Sequence, residues 1–311
     1  MNHVVYDRYA VINILKVIRV HIVVGGFVAF ALGTLLAILN GGLFNWFRCA
    51  LGYLIVFLGD LSTHYSNDYY DAEVEQLSGK KKMFGGAGIL LSHPELRPIS
   101  RVIAIILSLI SVSLAAVTVL FYSIPYWFFL VAVAANLLGW SYSAPPIRLS
   151  SRGLGETAIA VCTGLVIPGT GYLITKGQLD PQFFLLAIPF MAYGFMLSLS
   201  LEAPDMEDDI EVGKNNLVAR KGKRFTFFTI MVLSGLATLF FFIDANIITL
   251  FEHVDLRVVT IFSFVPLCTG IAGFLGNPVN KKKADSFSGA NILALFLFNI
   301  FVDAYFIALL F

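Results

Sequence analysis

Long runs of apolar residues, broken by short segments in which charge, Pro and Gly concentrate, make up nearly the whole chain. Nine such runs stand near residues 18-39, 46-66, 102-122, 126-142, 154-174, 182-201, 226-243, 258-275 and 288-310. Each approaches the ~20 residues that a helix needs to cross hydrocarbon, and each exceeds the ~10 of a barrel strand. Lipid offers the backbone no hydrogen-bond partners, so every run is expected to be a helix that closes its own bonds. The fold class that follows is an all-α integral membrane protein with nine transmembrane helices.

Composition agrees with the pattern. Of 311 residues 58% are hydrophobic and 13% charged, and 29 are Phe, which excludes a chain that folds in water. The first run follows Arg8, Lys16 and Arg19 and continues past Gly25 and Gly26 without a cleavage-like stop, so it reads as a first span and not as a signal peptide. Cys49, Cys162 and Cys268 lie far from one another and from any His at ligand spacing, and are read as buried small hydrophobes.

Net charge is only +1, which gives no argument for nucleic acid; the placement of charge is more telling. Alternating sides puts 18 basic residues on one face of the membrane and three, Arg48, Lys176 and Arg257, on the other. By the positive-inside rule the N-terminus and the charged loops are cytoplasmic and the C-terminus outside. Carboxylates, to which that rule is nearly indifferent, cluster after spans 2 and 6. Those spans are four apart, which points to two pseudo-repeated four-helix halves, about 10-142 and 153-276, plus a ninth helix at about 288-310, around a central cavity.

In the first cluster Asp60, His64, Asn67, Asp68, Asp71 and Glu75 recur at three, four or seven residues and share one helix face if span 2 continues past the membrane surface. Such a face is either loaded with metal or wholly solvated. The second cluster repeats the spacing with Glu202, Asp205 and Asp209. Lys80, Lys81 and Lys82 follow the first cluster, and Lys214, Arg220, Lys221, Lys223 and Arg224 follow the second. Acid and base together suit a metal-bridged polyphosphate; the alternative is that the bases only anchor loops at an anionic leaflet.

The run Asn67-Asp68-Tyr69-Tyr70-Asp71-Ala72-Glu73-Val74-Glu75 resembles the N-D-x-x-D-x-x-x-D motif of the UbiA superfamily of intramembrane prenyltransferases. Asp205-Met206-Glu207-Asp208-Asp209, trailed by Val212-Gly213-Lys214 and Leu217-Val218-Ala219-Arg220, resembles that family's second motif, and Tyr142-Ser143-Ala144-Pro145-Pro146-Ile147-Arg148 its turn after span 4. Gly85-Gly86-Ala87-Gly88 and Gly153-Leu154-Gly155-Glu156 look like the branch that prenylates dihydroxynaphthoate. The resemblance implies transfer of a polyprenyl group from an allylic polyprenyl diphosphate to an aromatic acceptor in menaquinone-like quinone biosynthesis. It implies magnesium, as two ions with manganese a substitute, held by Asn67, Asp68, Asp71, Glu75, Asp205 and Asp209. Asn67, Arg19, Lys80, Arg148 and Lys214 would meet the diphosphate, and Tyr142 would act beside Asp68, Asp71, Asp205 and Asp209 in catalysis. Glu75 stands where the motif has Asp, and Arg148 where many members carry Lys; Arg148 can still grip a phosphate, bidentately.

Other acceptors compatible with the family are a hydroxybenzoate, a phenazine-like ring, a porphyrin or a glycerol phosphate lipid. The partners implied are the two substrates and the bilayer of the cell membrane, with no obligate protein partner. Arg19 and His21 begin span 1, Asp60 and His64 are expected to pair within span 2, and Asp303 in span 9 has no evident partner in the sequence. A cation-coupled transporter shares the repeat and the carboxylates, but would place them near the midplane and not at one edge beside Lys and Arg. A scaffold would need neither motif.

Overall fold

A computed structural model describes residues 8–78, 88–248 and 250–311, with the side chains of 8–11 and 73–78 outside the description. Among the described residues every regular element is helical: α1 (Arg8–Leu15), α2 (Val20–Leu39), α3 (Trp46–Ser78), α4 (Arg97–Phe121), α5 (Trp127–Ser143), α6 (Gly155–Lys176), α7 (Pro181–Glu202), α8 (Met206–Glu211), α9 (Leu217–Ile243), α10 (Leu256–Leu275) and α11 (Lys281–Ala308). Side-chain caps mark several starts. Asn216, Asp255 and Asn280 accept hydrogen bonds from the backbone N–H groups of Ala219, Arg257 and Lys283, donors that the helix itself leaves without partners.

Seven helices, α2, α4, α6, α7, α9, α10 and α11, are long and apolar enough to cross a membrane. The other two of the nine expected spans are helices that fall short on that measure, each for a visible reason. α5 has only 17 residues. α3 is 33 residues long, but its first half carries Arg48 and Asp60 and its second half is the acidic motif itself, so length is not matched by hydropathy.

Close backbone approach sets the packing of α6. A Cβ on Gly33 would lie 1.8 Å from the Pro168 carbonyl oxygen and one on Gly171 2.3 Å from that of Phe30, so α2 and α6 touch backbone to backbone. Between membrane helices, where lipid removes the hydrophobic drive, such contact is a main source of cohesion. α6 also contains a widened turn at Cys162–Val166, just before Pro168; proline lacks the N–H that a regular helix would need there, and the extra residue relieves the mismatch. On the far side of α6, α7, α9 and α11 pack through aromatic rings, with Tyr193 and Phe298 edge-on at 4.9 Å between centroids.

Gly33→Ala is expected to destabilise the protein by about 1–3 kcal/mol through overpacking. Gly25→Ala on the same helix, where a Cβ meets nothing within 4 Å, should leave the thermal midpoint in detergent unchanged. Equal midpoints for the two variants would refute the backbone contact.

The turn from α6 to α7 is tied by Asp180, which accepts hydrogen bonds from Lys176 Nζ, Tyr172 OH, Gln178 Nε2 and Asn40 Nδ2. Burial raises its pKa, but the bonds from Lys176, Tyr172 and Gln178 outweigh that and hold the carboxyl below the usual range.

Candidate active site

α3 presents Val56, Gly59, Asp60, Thr63, His64, Asn67 and Asp71 to one cavity of about 460 Å³, at steps of three and four residues that keep one helix face inward. Asp68, one residue on from Asn67, points about 100° away and is outside the lining. Its buried carboxylate is instead bonded by Arg19 Nη2 at 2.5 Å, and it is Arg19 that faces the cavity. The intervening tyrosines lock the rotation of α3: Tyr69 lies under Arg97 and Arg101 of α4, each 5.6 Å from the ring centre, and Tyr70 stands edge-on to Trp140 of α5. One face of the motif therefore packs and the other is free for chemistry.

α7 and α8 bring the second motif to the same cavity. Gly194, Leu197, Ser198, Leu201, Glu202, Asp205 and Asp209 line it, again at helical spacing. Asp208 and Glu207 turn outward: Lys281 Nζ donates to Asp208 at 2.8 Å and lies 3.6 Å from Asp205, while Lys223 Nζ donates to Glu207 at 2.7 Å. Asp209 accepts from Asn216 Nδ2 at 2.9 Å and stands 3.5 Å from Lys214 Nζ. Both Lys214 and Asn216 are in the lining, as is Tyr142 from α5. Gly155 is the residue that lets Tyr142 in, since a Cβ there would sit 3.2 Å from its ring and 3.0 Å from Ser150 Cα. Arg148 adopts a left-handed turn with φ 47° and is not among the lining residues. The side chain of Glu75, together with Lys80, Gly85 and Gly86, lies outside the described residues.

Three residues for which the sequence suggests no role of their own contribute to this architecture. Glu202 lines the cavity between Ser198, which bonds it, and Asp205. Asn216 both caps α9 and holds Asp209. Glu156, 1% exposed, accepts the Leu217 N–H at 2.6 Å and so ties the start of α6 to the start of α9. For Glu202 the signal was in the sequence, one turn before Asp205; the Glu156 contact spans 61 positions and has no local signature.

Among the described residues no three His, Cys, Asp or Glu side chains gather closely enough to hold an ion alone. Magnesium keeps several waters and takes one or two carboxylates plus phosphate oxygens, a mode that Asp71, Asp205 and Asp209 in the lining can serve. Asn67 fits it further: its Oδ1 is buried and without a hydrogen-bond partner beside the lining carboxylate Asp71, a hard oxygen donor left available. Beyond the acidic end the lining becomes apolar and aromatic, with Phe128, Phe190, Tyr193 and Phe296. A second hollow of about 370 Å³, bordered by Asp244, Glu252, Asp255 and Arg257, contains no residue of either motif.

The model of the UbiA prenyltransferase family matches residues 27–300. The chain belongs to the UbiA prenyltransferase family. It is therefore a membrane-embedded prenyltransferase. Solved structures share the fold at low identity. A UbiA homolog from Aeropyrum pernix K1 superposes with TM-score 0.71 at 13% identity, covering 94% of this chain and all of that one. A digeranylgeranylglyceryl phosphate synthase gives 0.67 at 17%, covering 96% and 99%. A UbiA homolog from Archaeoglobus fulgidus bound to DMAPP and Mg2+ gives 0.62 at 17%, covering 89% and 96%. No curated protein matches the chain in sequence.

Proposed function

We propose that this UbiA prenyltransferase moves a polyprenyl group from an allylic polyprenyl diphosphate to an electron-rich aromatic acceptor, with dihydroxynaphthoate, the menaquinone-type acceptor, favoured. The observation that carries the reading is that Asn67 and Asp71 of α3 share one cavity, whose remaining wall is largely apolar, with Asp205 of the turn after α7 and Asp209 of α8. The Archaeoglobus homolog bound to DMAPP and Mg2+ supports assigning the acidic end to a metal diphosphate.

On this reading Asn67, Asp71, Asp205 and Asp209, with Glu75, hold two magnesium ions, for which manganese can substitute. Asp68 acts through Arg19, which it orients. The chemistry that magnesium supplies is withdrawal of charge from the departing diphosphate. Arg19 and Lys214, both in the lining, neutralise what remains, with Lys80 and Arg148 as further cations from the basic loops. Tyr142 and the rings of Phe128, Phe190 and Phe296 border the space where the allylic cation forms and exclude water from it. The basic loops place the acidic end at the cytoplasmic side of the cell membrane and the C-terminus outside. α3 and α7, each delivering an acidic end to one cavity, support a two-repeat arrangement of nine spans.

A glycerol phosphate lipid acceptor is the second reading, favoured by the similarity to digeranylgeranylglyceryl phosphate synthase. The test is turnover of a labelled polyprenyl diphosphate by purified protein with magnesium or EDTA, offered dihydroxynaphthoate, hydroxybenzoate or a glycerol phosphate lipid. Magnesium-dependent prenylation of dihydroxynaphthoate is expected. Product with the lipid alone would overturn the aromatic assignment.

A further inference from the structure

Deeper in the cavity than Asn67, one and two turns back along α3, stand His64 and Asp60. His64 is buried, with its side chain 4% exposed, whereas the Asp60 side chain is 24% exposed and lines the cavity. The His64 Nε2 atom lies 3.5 Å from Asp60 Oδ1, and Arg19 acts on the same carboxylate at longer range. The His64 Nδ1 atom is buried with no partner. A carboxylate near Nε2 favours the tautomer with its proton there, and Asp60 itself lines the cavity. Thr63, Asn136 and Asn299 add polar groups to the same lining.

A carboxylate set among hydrocarbon walls is costly unless it meets a donor, and the polyprenyl chain has none to offer. The acceptor does. We infer that Asp60, oriented by His64, binds a hydroxyl group of the acceptor and takes up its proton during transfer. This rests on the prenyl-transfer reading above, and applies equally to a ring hydroxyl and to the alcohol of a glycerol phosphate lipid. With an aromatic acceptor, the hydroxyl proton passes to Asp60 as the adjacent ring carbon forms its bond to the allylic carbon. The allylic carbon–oxygen bond breaks and its electron pair leaves with the diphosphate. The ring carbon then releases its own hydrogen as a proton or, where it carries the carboxylate of dihydroxynaphthoate, loses that group as carbon dioxide; the ring regains aromaticity, and Asp60 returns its proton to the oxygen. With an alcohol, the proton on Asp60 is itself the one released. The charged and titratable groups that face the pair are Arg19 and His21 from α2, Tyr53 from α3 itself and Cys162 from α6.

Asp60→Asn and His64→Gln keep side-chain volume and should fold, which a thermal midpoint in detergent verifies for each. Diphosphate release and prenylated product are measured separately, with a hydroxylated acceptor and with its methyl ether. In Asp60→Asn, product formed per turnover should fall about 100-fold and the acceptor KM should rise. Magnesium-dependent diphosphate release and the KM for the polyprenyl diphosphate should stay as in the wild type. His64→Gln should show the same split to a smaller extent. Preference for the free hydroxyl over the ether should be lost in Asp60→Asn. An equal fall of release and product would overturn the proposal in favour of a role at the metal face, and so would a wild-type profile. If the wild type prenylates only the glycerol phosphate lipid, the aromatic reading fails and the same split between diphosphate release and product is measured with that alcohol.

Discussion

Asp71→Asn is expected to lower magnesium-dependent prenyl transfer by about 100- to 1,000-fold while leaving the thermal midpoint near that of the wild type. The size follows from removing a preorganised charge at the point where the leaving group gathers charge, which costs about that much in enzymes with comparable sites. Asp71 is the sharpest choice among the carboxylates. It lines the cavity and, among the described residues, no ion pair or hydrogen bond engages its side chain, so its charge awaits a cation and its loss disturbs no packing. Asp205→Asn should lose activity comparably, though its neighbour Lys281 at 3.6 Å makes some loss of stability part of the result. Asp208→Asn supplies the internal control, because that carboxylate bonds Lys281 and is absent from the cavity lining. Its activity should fall by less than tenfold. If Asp71→Asn and Asp208→Asn proved equally active, the division of the acidic residues into cavity-facing and packing sets would be wrong.

That division shows how far helical spacing can be read and where it stops. Asn67 and Asp71, and likewise Glu202, Asp205 and Asp209, recur at three or four residues, and α3 and α7 keep that spacing on one face with no help from distant parts of the chain. Asp68 was grouped with the same face because it lies four residues from His64. Which of two adjacent stripes faces inward depends on what packs behind, and here Tyr69 under Arg97 and Arg101 sets the rotation. The Lys281 contacts with Asp205 and Asp208, and the Glu156 contact with Leu217, depend on where loops end in space and have no periodicity to betray them. Gly155 likewise depends on its neighbours in space. The space beside Tyr142 and Ser150 gives it a packing role. Hydropathy marked helices well, but it ranks a helix by its content of charge. α3 consequently reads as a weaker span because it carries the chemistry.

Arg19 and Asp68 offer the second large effect, and one in which stability and activity separate. Their bond is short and nearly out of solvent, with side-chain exposures of 15% and 3%. Arg19→Ala removes the cation bonded to the buried Asp68 carboxylate and should destabilise the protein, by at most the ~3–5 kcal/mol that breaking a buried pair from one side costs. Replacing both partners, as Arg19→Met with Asp68→Leu, removes the buried charge along with its partner and should recover part of that stability. Activity should not recover, because Arg19 borders the cavity and the charge that it offers a diphosphate is gone. The measurement is a double-mutant cycle followed by thermal midpoint and by KM for the polyprenyl diphosphate, with coupling expected in the first and not in the second. Recovery of both would mean that the pair only holds α2 against α3. Recovery of neither would mean that Asp68 has work of its own at the metal end, despite facing away from the cavity.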